Sequence, residues 1–140
     1  MRPIKYIVIH CTATPQNTKL QSIVNYWRTV LGWKNNGYHF IIDKNGNSTK
    51  ITPLDKIANG VKNFNKYSIH ISYIGGVDNN GKPIDNRTTE QKYKLLYLVR
   101  ELKTMFPNAI VKGHRDFPNV KKDCPCFDAI TEYQNLFDYI

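Results

Sequence analysis

The stretch Ile4-Lys5-Tyr6-Ile7-Val8-Ile9-His10 constrains the chain more than any other segment. It is rich in β-branched and aromatic residues and only partly alternating, which is the pattern of a central strand. Such a strand needs partners, and the remaining sequence supplies them. Residues 38–43 and 48–52 flank Lys44-Asn45-Gly46-Asn47, and Asn-Gly between two such runs is a strong hairpin signal. Residues 67–74 read as a further strand that Gly75-Gly76 stops, and residues 109–112 as a short last strand ending at Gly113-His114.

Helices are expected between these strands. Leu20, Ile23, Val24, Trp27 and Leu31 fall near helical spacing, with Gly32 as the stop. Thr18 is the expected cap, and Gln21 three positions on completes a weak capping box. Residues 88–106 form a second helix, capped by Thr88 or Thr89, with Leu95, Leu96, Leu98, Val99 and Leu102 as its apolar face and Pro107-Asn108 as its break. A last short helix is expected between Phe127 and Phe137. Strands mixed with helices and one antiparallel hairpin imply an α/β chain, with a single mixed sheet flanked by helices.

The chain of 140 residues suits one domain spanning 1–140. A hydrophobic fraction of 41% with ordinary Gly and Pro content excludes a disordered chain. No apolar run approaches the ~20 residues of a membrane span. Met1-Arg2-Pro3 leads straight into the first strand without a signal-peptide core, so the protein is expected in the cytoplasm of the cell that makes it. Three cysteines, an odd count, argue against a disulfide framework and for a thiolate ligand or buried thiols. The net charge of +9 favours anionic partners, nucleic acid or an anionic cell wall among them. The basic residues are scattered, with Lys121-Lys122 the sole adjacent pair, and no basic–aromatic repeat is present, so no stable nucleic-acid complex is expected.

Three residues stand out as soft metal ligands at strand or loop ends: His10, His114 and Cys124. A catalytic zinc site uses three protein ligands and an open fourth position, and two imidazoles with one thiolate suit zinc's borderline softness. Spacing alone does not select this reading. Each histidine is equally an ordinary half-buried side chain, and Cys124-Pro125-Cys126 equally a buried turn. His39 should point away from Tyr38 on its strand and be structural or supporting, and Cys11 should point away from His10 as a buried thiol. Cys126 has no assigned role. His70 is a strand residue facing a helix or a substrate groove.

The ordered set His10-Cys11-Thr12-Ala13-Thr14, Gly32-Trp33, Gly37-Tyr38-His39-Phe40-Ile41-Ile42, Asn65, Ser68-Ile69, Ile74-Gly75-Gly76, Gly113-His114-Arg115-Asp116 and Lys122-Asp123-Cys124-Pro125 resembles the type 2 N-acetylmuramoyl-L-alanine amidases. That superfamily includes phage amidase-type lysozymes and peptidoglycan recognition proteins. The match runs from about residue 4 to about residue 128, and Gly75-Gly76-Val77-Asp78-Asn79-Asn80-Gly81-Lys82 fits the short phage lysozymes best.

The resemblance implies zinc in a surface groove, one ion per chain, held by His10, His114 and Cys124. Tyr38 and Lys122 match the active-site tyrosine and lysine. The implied substrate is peptidoglycan, cut between N-acetylmuramic acid and L-alanine, and the implied setting is an endolysin acting on the wall after release, as a monomer without membrane partners. One departure stands out. The family's His-Ala-x-Gly-like stretch reads Gly60-Val61-Lys62-Asn63 here, and His70 stands where the family pattern has glycine. Two other readings remain: a peptidoglycan-binding module that does not cut, and a basic regulatory protein.

Overall fold

In the computed structural model, residues 1–136 are described. Five strands, β1 (Tyr6–Cys11), β2 (Phe40–Ile42), β3 (Ser48–Lys50), β4 (Ser68–Tyr73) and β5 (Ile110–Gly113), form one sheet in the order β3-β2-β4-β1-β5. β1 lies between β4 and β5, parallel to both, and β2 is parallel to β4. β3 alone runs antiparallel, through the expected hairpin. Its turn closes where the Asp43 carboxylate accepts from the backbone N–H groups of Asn45 and Asn47, at 2.9 and 3.0 Å. Gly46 supplies the positive φ of +84° there. The mixed sheet flanked by helices is as the sequence predicts.

Alternation along the strands separates core from site. Ile7, Ile9 and Cys11 of β1 and Ile69, Ile71 and Tyr73 of β4 pack in one buried cluster. The same cluster takes in Leu95, Leu98, Val99 and Leu102 of α2 (Thr89–Met105) and Ala129 and Tyr133 of α3 (Ala129–Tyr133). The intervening residues Val8, His10, His70 and Ser72 are also buried and belong to the opposite face. That opposite face therefore holds two imidazoles where a core would hold aliphatic side chains.

α2 starts on a complete capping box: the Gln91 N–H donates to the Thr88 hydroxyl at 3.0 Å, and the Thr88 N–H donates to the Gln91 side chain at 2.9 Å. Asp128 caps α3 by accepting from the Thr131 N–H. α3 falls inside the interval from Phe127 to Phe137 where the sequence places a short last helix, and Phe137 itself lies outside the described residues. Among the described residues, no helix is long and apolar enough to cross a membrane.

The first helix departs from expectation at both ends. α1 spans Leu20–Asn25 with Lys19 at its cap position and no side-chain cap, so Thr18 stands one residue too early. Gln21 instead donates to the Asn25 side chain at 2.8 Å. Beyond Asn25 the chain widens into a π-helical turn, Tyr26–Val30, marked by the Leu31 N–H bonding to the Tyr26 carbonyl. The Thr29 hydroxyl takes the Asn25 carbonyl at 2.6 Å and so draws it to a side-chain donor. The turn still buries Trp27 with Ile23, Ile41 and Ile74.

Candidate metal centre and groove

His10 is the penultimate residue of β1, on the face turned away from the isoleucine core, and is almost fully buried. His114 begins a short 3-10 turn directly after β5, the strand paired with β1, and is half-buried. Cys124 arrives from the following loop, which is tied back by the Arg115 N–H donating to the Cys124 carbonyl at 2.9 Å. One ligand atom from each of His10, His114 and Cys124 lies within 4.8 Å of the others. The two imidazole rings stand edge to face with centroids 4.8 Å apart. His10 Nδ1 is 3.9 Å from the Cys124 sulfur.

The donor set fits zinc. Tetrahedral coordination at ~2.0–2.3 Å places ligand atoms ~3.4–3.6 Å apart, so these three need only a small inward movement. Burial holds His10 well below the ordinary histidine pKa, with His70, His114 and Lys122 opposing its charge as well. Burial, then Lys122, brings His114 down to about 4. Both imidazoles are thus neutral at pH 7, the form that binds metal. The Cys11 N–H lies 3.1 Å from the Cys124 sulfur and points a donor at it.

Tyr38 and Lys122 flank the cluster. The Tyr38 ring packs against His10 at 5.0 Å between centroids and edge to face with Trp27 at 5.4 Å. Its hydroxyl donates weakly to the Cys11 carbonyl at 3.3 Å, and burial pushes its pKa up, so it stays protonated. Lys122 is exposed. It lines, with His114, a groove of about 690 Å³ whose other walls include Trp33, Asn59, Phe64 and Val120. All five sequence-predicted residues therefore gather at one end of the sheet.

The other singled-out residues separate from this cluster. Cys126 meets Cys11 at 3.9 Å between sulfurs and the Gly76 carbonyl at 3.4 Å, outside the ligand trio. His39 is fully buried and structural: its Nδ1 accepts from the His70 N–H at 3.0 Å, and its Nε2 lies 2.8 Å from the Lys56 carbonyl and 3.0 Å from Arg2 Nη2. His70 corrects the expectation of a residue facing a helix or groove. Its Nδ1 lies 2.8 Å from His10 Nε2. The parity of β4 carries the signal that finds it, since Ile69 and Ile71 face the core and His70 must face the side that His10 occupies.

Parallel strands β1, β4 and β2 with two imidazoles and a cysteine sulfur gathered at one end define an amidase-type hydrolase fold with a candidate metal site. The chain belongs to the N-acetylmuramoyl-L-alanine amidase family, whose model matches residues 1–127. It is similar to the endolysin of Escherichia phage T7, 35% identical over 126 residues that cover 87% of this chain and 80% of that protein. The endolysin of Enterobacteria phage K11 is 33% identical over 121 residues, covering 86% and 79%. Among solved structures, the endolysin of the Thermus scotoductus bacteriophage Ph2119 superposes with a TM-score of 0.76 at 28% identity, covering 89% of this chain and 79% of that one. The resemblance drawn from the motifs, to this superfamily and its phage lysozymes, is borne out.

Proposed function

We propose that the protein is a zinc-dependent N-acetylmuramoyl-L-alanine amidase that hydrolyses the amide between N-acetylmuramic acid and the stem peptide's L-alanine, working as an endolysin. The observation that carries this reading is the convergence of His10, His114 and Cys124 to within 4.8 Å beside a groove. Family membership over residues 1–127 and the phage endolysins among its relatives support the substrate class. In this reading the protein is made inside the cell and meets the wall after release.

His10, His114 and Cys124 would hold one zinc ion. When bound, zinc supplies a Lewis acid that polarises the scissile carbonyl and brings the pKa of the attacking water towards ~7. The Tyr38 hydroxyl, protonated and only weakly engaged by the Cys11 carbonyl, donates to the oxyanion that develops as the carbonyl is attacked. The Lys122 ammonium at the groove wall stabilises the same charge. The departing L-alanine amine takes a proton that Tyr38, Lys122 or the attacking water supplies.

The test is turbidity loss and release of new free amino groups from purified peptidoglycan, with and without a chelator. Chelator-sensitive release is expected. Tight wall binding by zinc-loaded protein with no new amino groups would replace this reading with the non-cutting binding module.

A further inference from the structure

His70 is fully buried. Its Nε2 lies 2.9 Å from Asn65 Oδ1, and its Nδ1 lies 2.8 Å from His10 Nε2. Asn65 Oδ1 also accepts from the Val61 backbone N–H at 2.7 Å. A backbone N–H can only donate, so the Asn65 atom facing it is the amide oxygen, and that oxygen can only accept.

Proton positions follow in sequence. Facing an acceptor, His70 Nε2 must carry hydrogen. Its ring partners are Asn65 and His10, neither a carboxylate, and it stacks on His39 at 5.9 Å, so nothing there favours an imidazolium. A neutral ring with hydrogen on Nε2 leaves Nδ1 as an acceptor. His10 Nε2 therefore donates to it, and His10 Nδ1, the atom 3.9 Å from the Cys124 sulfur, keeps its lone pair.

The space for this ring is made by Gly60. A Cβ there would stand 2.3 Å from His70 Nδ1.

We propose that His70 is a positioning residue, the middle of a Val61–Asn65–His70–His10 relay that fixes His10 with hydrogen on Nε2 and Nδ1 free to ligate metal. This rests on the zinc site proposed above. Partners of this kind orient a ligating imidazole, and losing one typically costs 10–100-fold in metal affinity. An asparagine at position 70 can place an oxygen acceptor near the lost Nδ1, whereas leucine fills the volume with no acceptor.

Zinc affinity of wild type, His70→Leu and His70→Asn, measured by chelator competition on proteins with matched circular dichroism, tests the proposal. His70→Leu should bind about 10–100-fold more weakly, and His70→Asn should recover most of that loss. Unchanged affinity in a folded His70→Leu would overturn the relay while leaving the zinc site standing. Absence of zinc binding by wild type would overturn both. Where His70→Leu fails to fold, the ¹⁵N shifts of the His10 ring in metal-free wild type decide: a protonated Nε2 supports the relay, and a protonated Nδ1 overturns it.

Discussion

The backbone nitrogen of Cys11 lies 3.1 Å from the sulfur of Cys124, so the end of β1 holds the candidate sulfur ligand while its neighbour His10 presents the adjacent imidazole. Cys124→Ala should abolish zinc retention and peptidoglycan hydrolysis together. Lys122→Ala, which alters an exposed cation in the groove wall, should retain zinc and lose ~10²–10³ in turnover. Metal content and amino-group release on both variants separate the two roles. Equal zinc and full activity in both would contradict them.

Tyr38→Phe removes the hydroxyl but keeps the ring that packs between His10 and Trp27. The expected result is unchanged thermal stability within about 1 kcal/mol, since the lost 3.3 Å hydrogen bond is weak, with turnover lower by ~10²-fold. Comparing kcat with the thermal midpoint checks it.

Stability of the metal-free protein should fall in acid. Burial, with Arg2 adding to it against the Lys56 hydrogen bond, brings His39 down to about 4 from the ordinary 6.5. The unfolded chain therefore binds the proton first as pH falls. The contribution is complete above pH 6.5 and lost as pH drops towards about 4. Burial holds His10 and His70 low as well, with the same sign. Urea denaturation across that window should show a falling midpoint, and His39→Gln should flatten the dependence.

Arg87 is buried between Asp85 and Glu132, at 2.9 and 2.8 Å, with its guanidinium 3.3 Å from the Phe127 ring centroid. It links the loop before α2 to α3. Arg87→Ala should destabilise by about 2 kcal/mol, between the values for exposed and buried pairs because both carboxylates keep partial solvent contact. Chemical denaturation measures this. Arg87→Lys should recover only part, lacking the planar fork.

Most of the sheet was legible because its signals are local. Ile7-Val8-Ile9, the Asn45-Gly46 turn and the Gly75-Gly76 stop each specify their own few residues. The α1 region was not, because helical spacing places Trp27 on the buried face whether the turn is α or π, and so does not encode the widening to the Leu31–Tyr26 bond. At the site, the order of the motifs already groups His10, His114, Cys124, Tyr38 and Lys122, and the fold brings them to one end of the sheet. His70 was missed as a partner of His10 because the pairing requires both the register of β1 on β4 and the space left at Gly60. Cys126 shows the converse: two positions from Cys124 in sequence, it turns instead to Cys11.

The most direct measurement is the metal content of the purified protein, before and after exhaustive chelation, beside the Cys124→Ala variant. The account predicts one zinc per chain in the wild type, removable and restorable with the hydrolytic activity, and none in the variant. A wild-type chain that hydrolyses peptidoglycan fully while free of metal, or that cannot take up zinc at all, would contradict it.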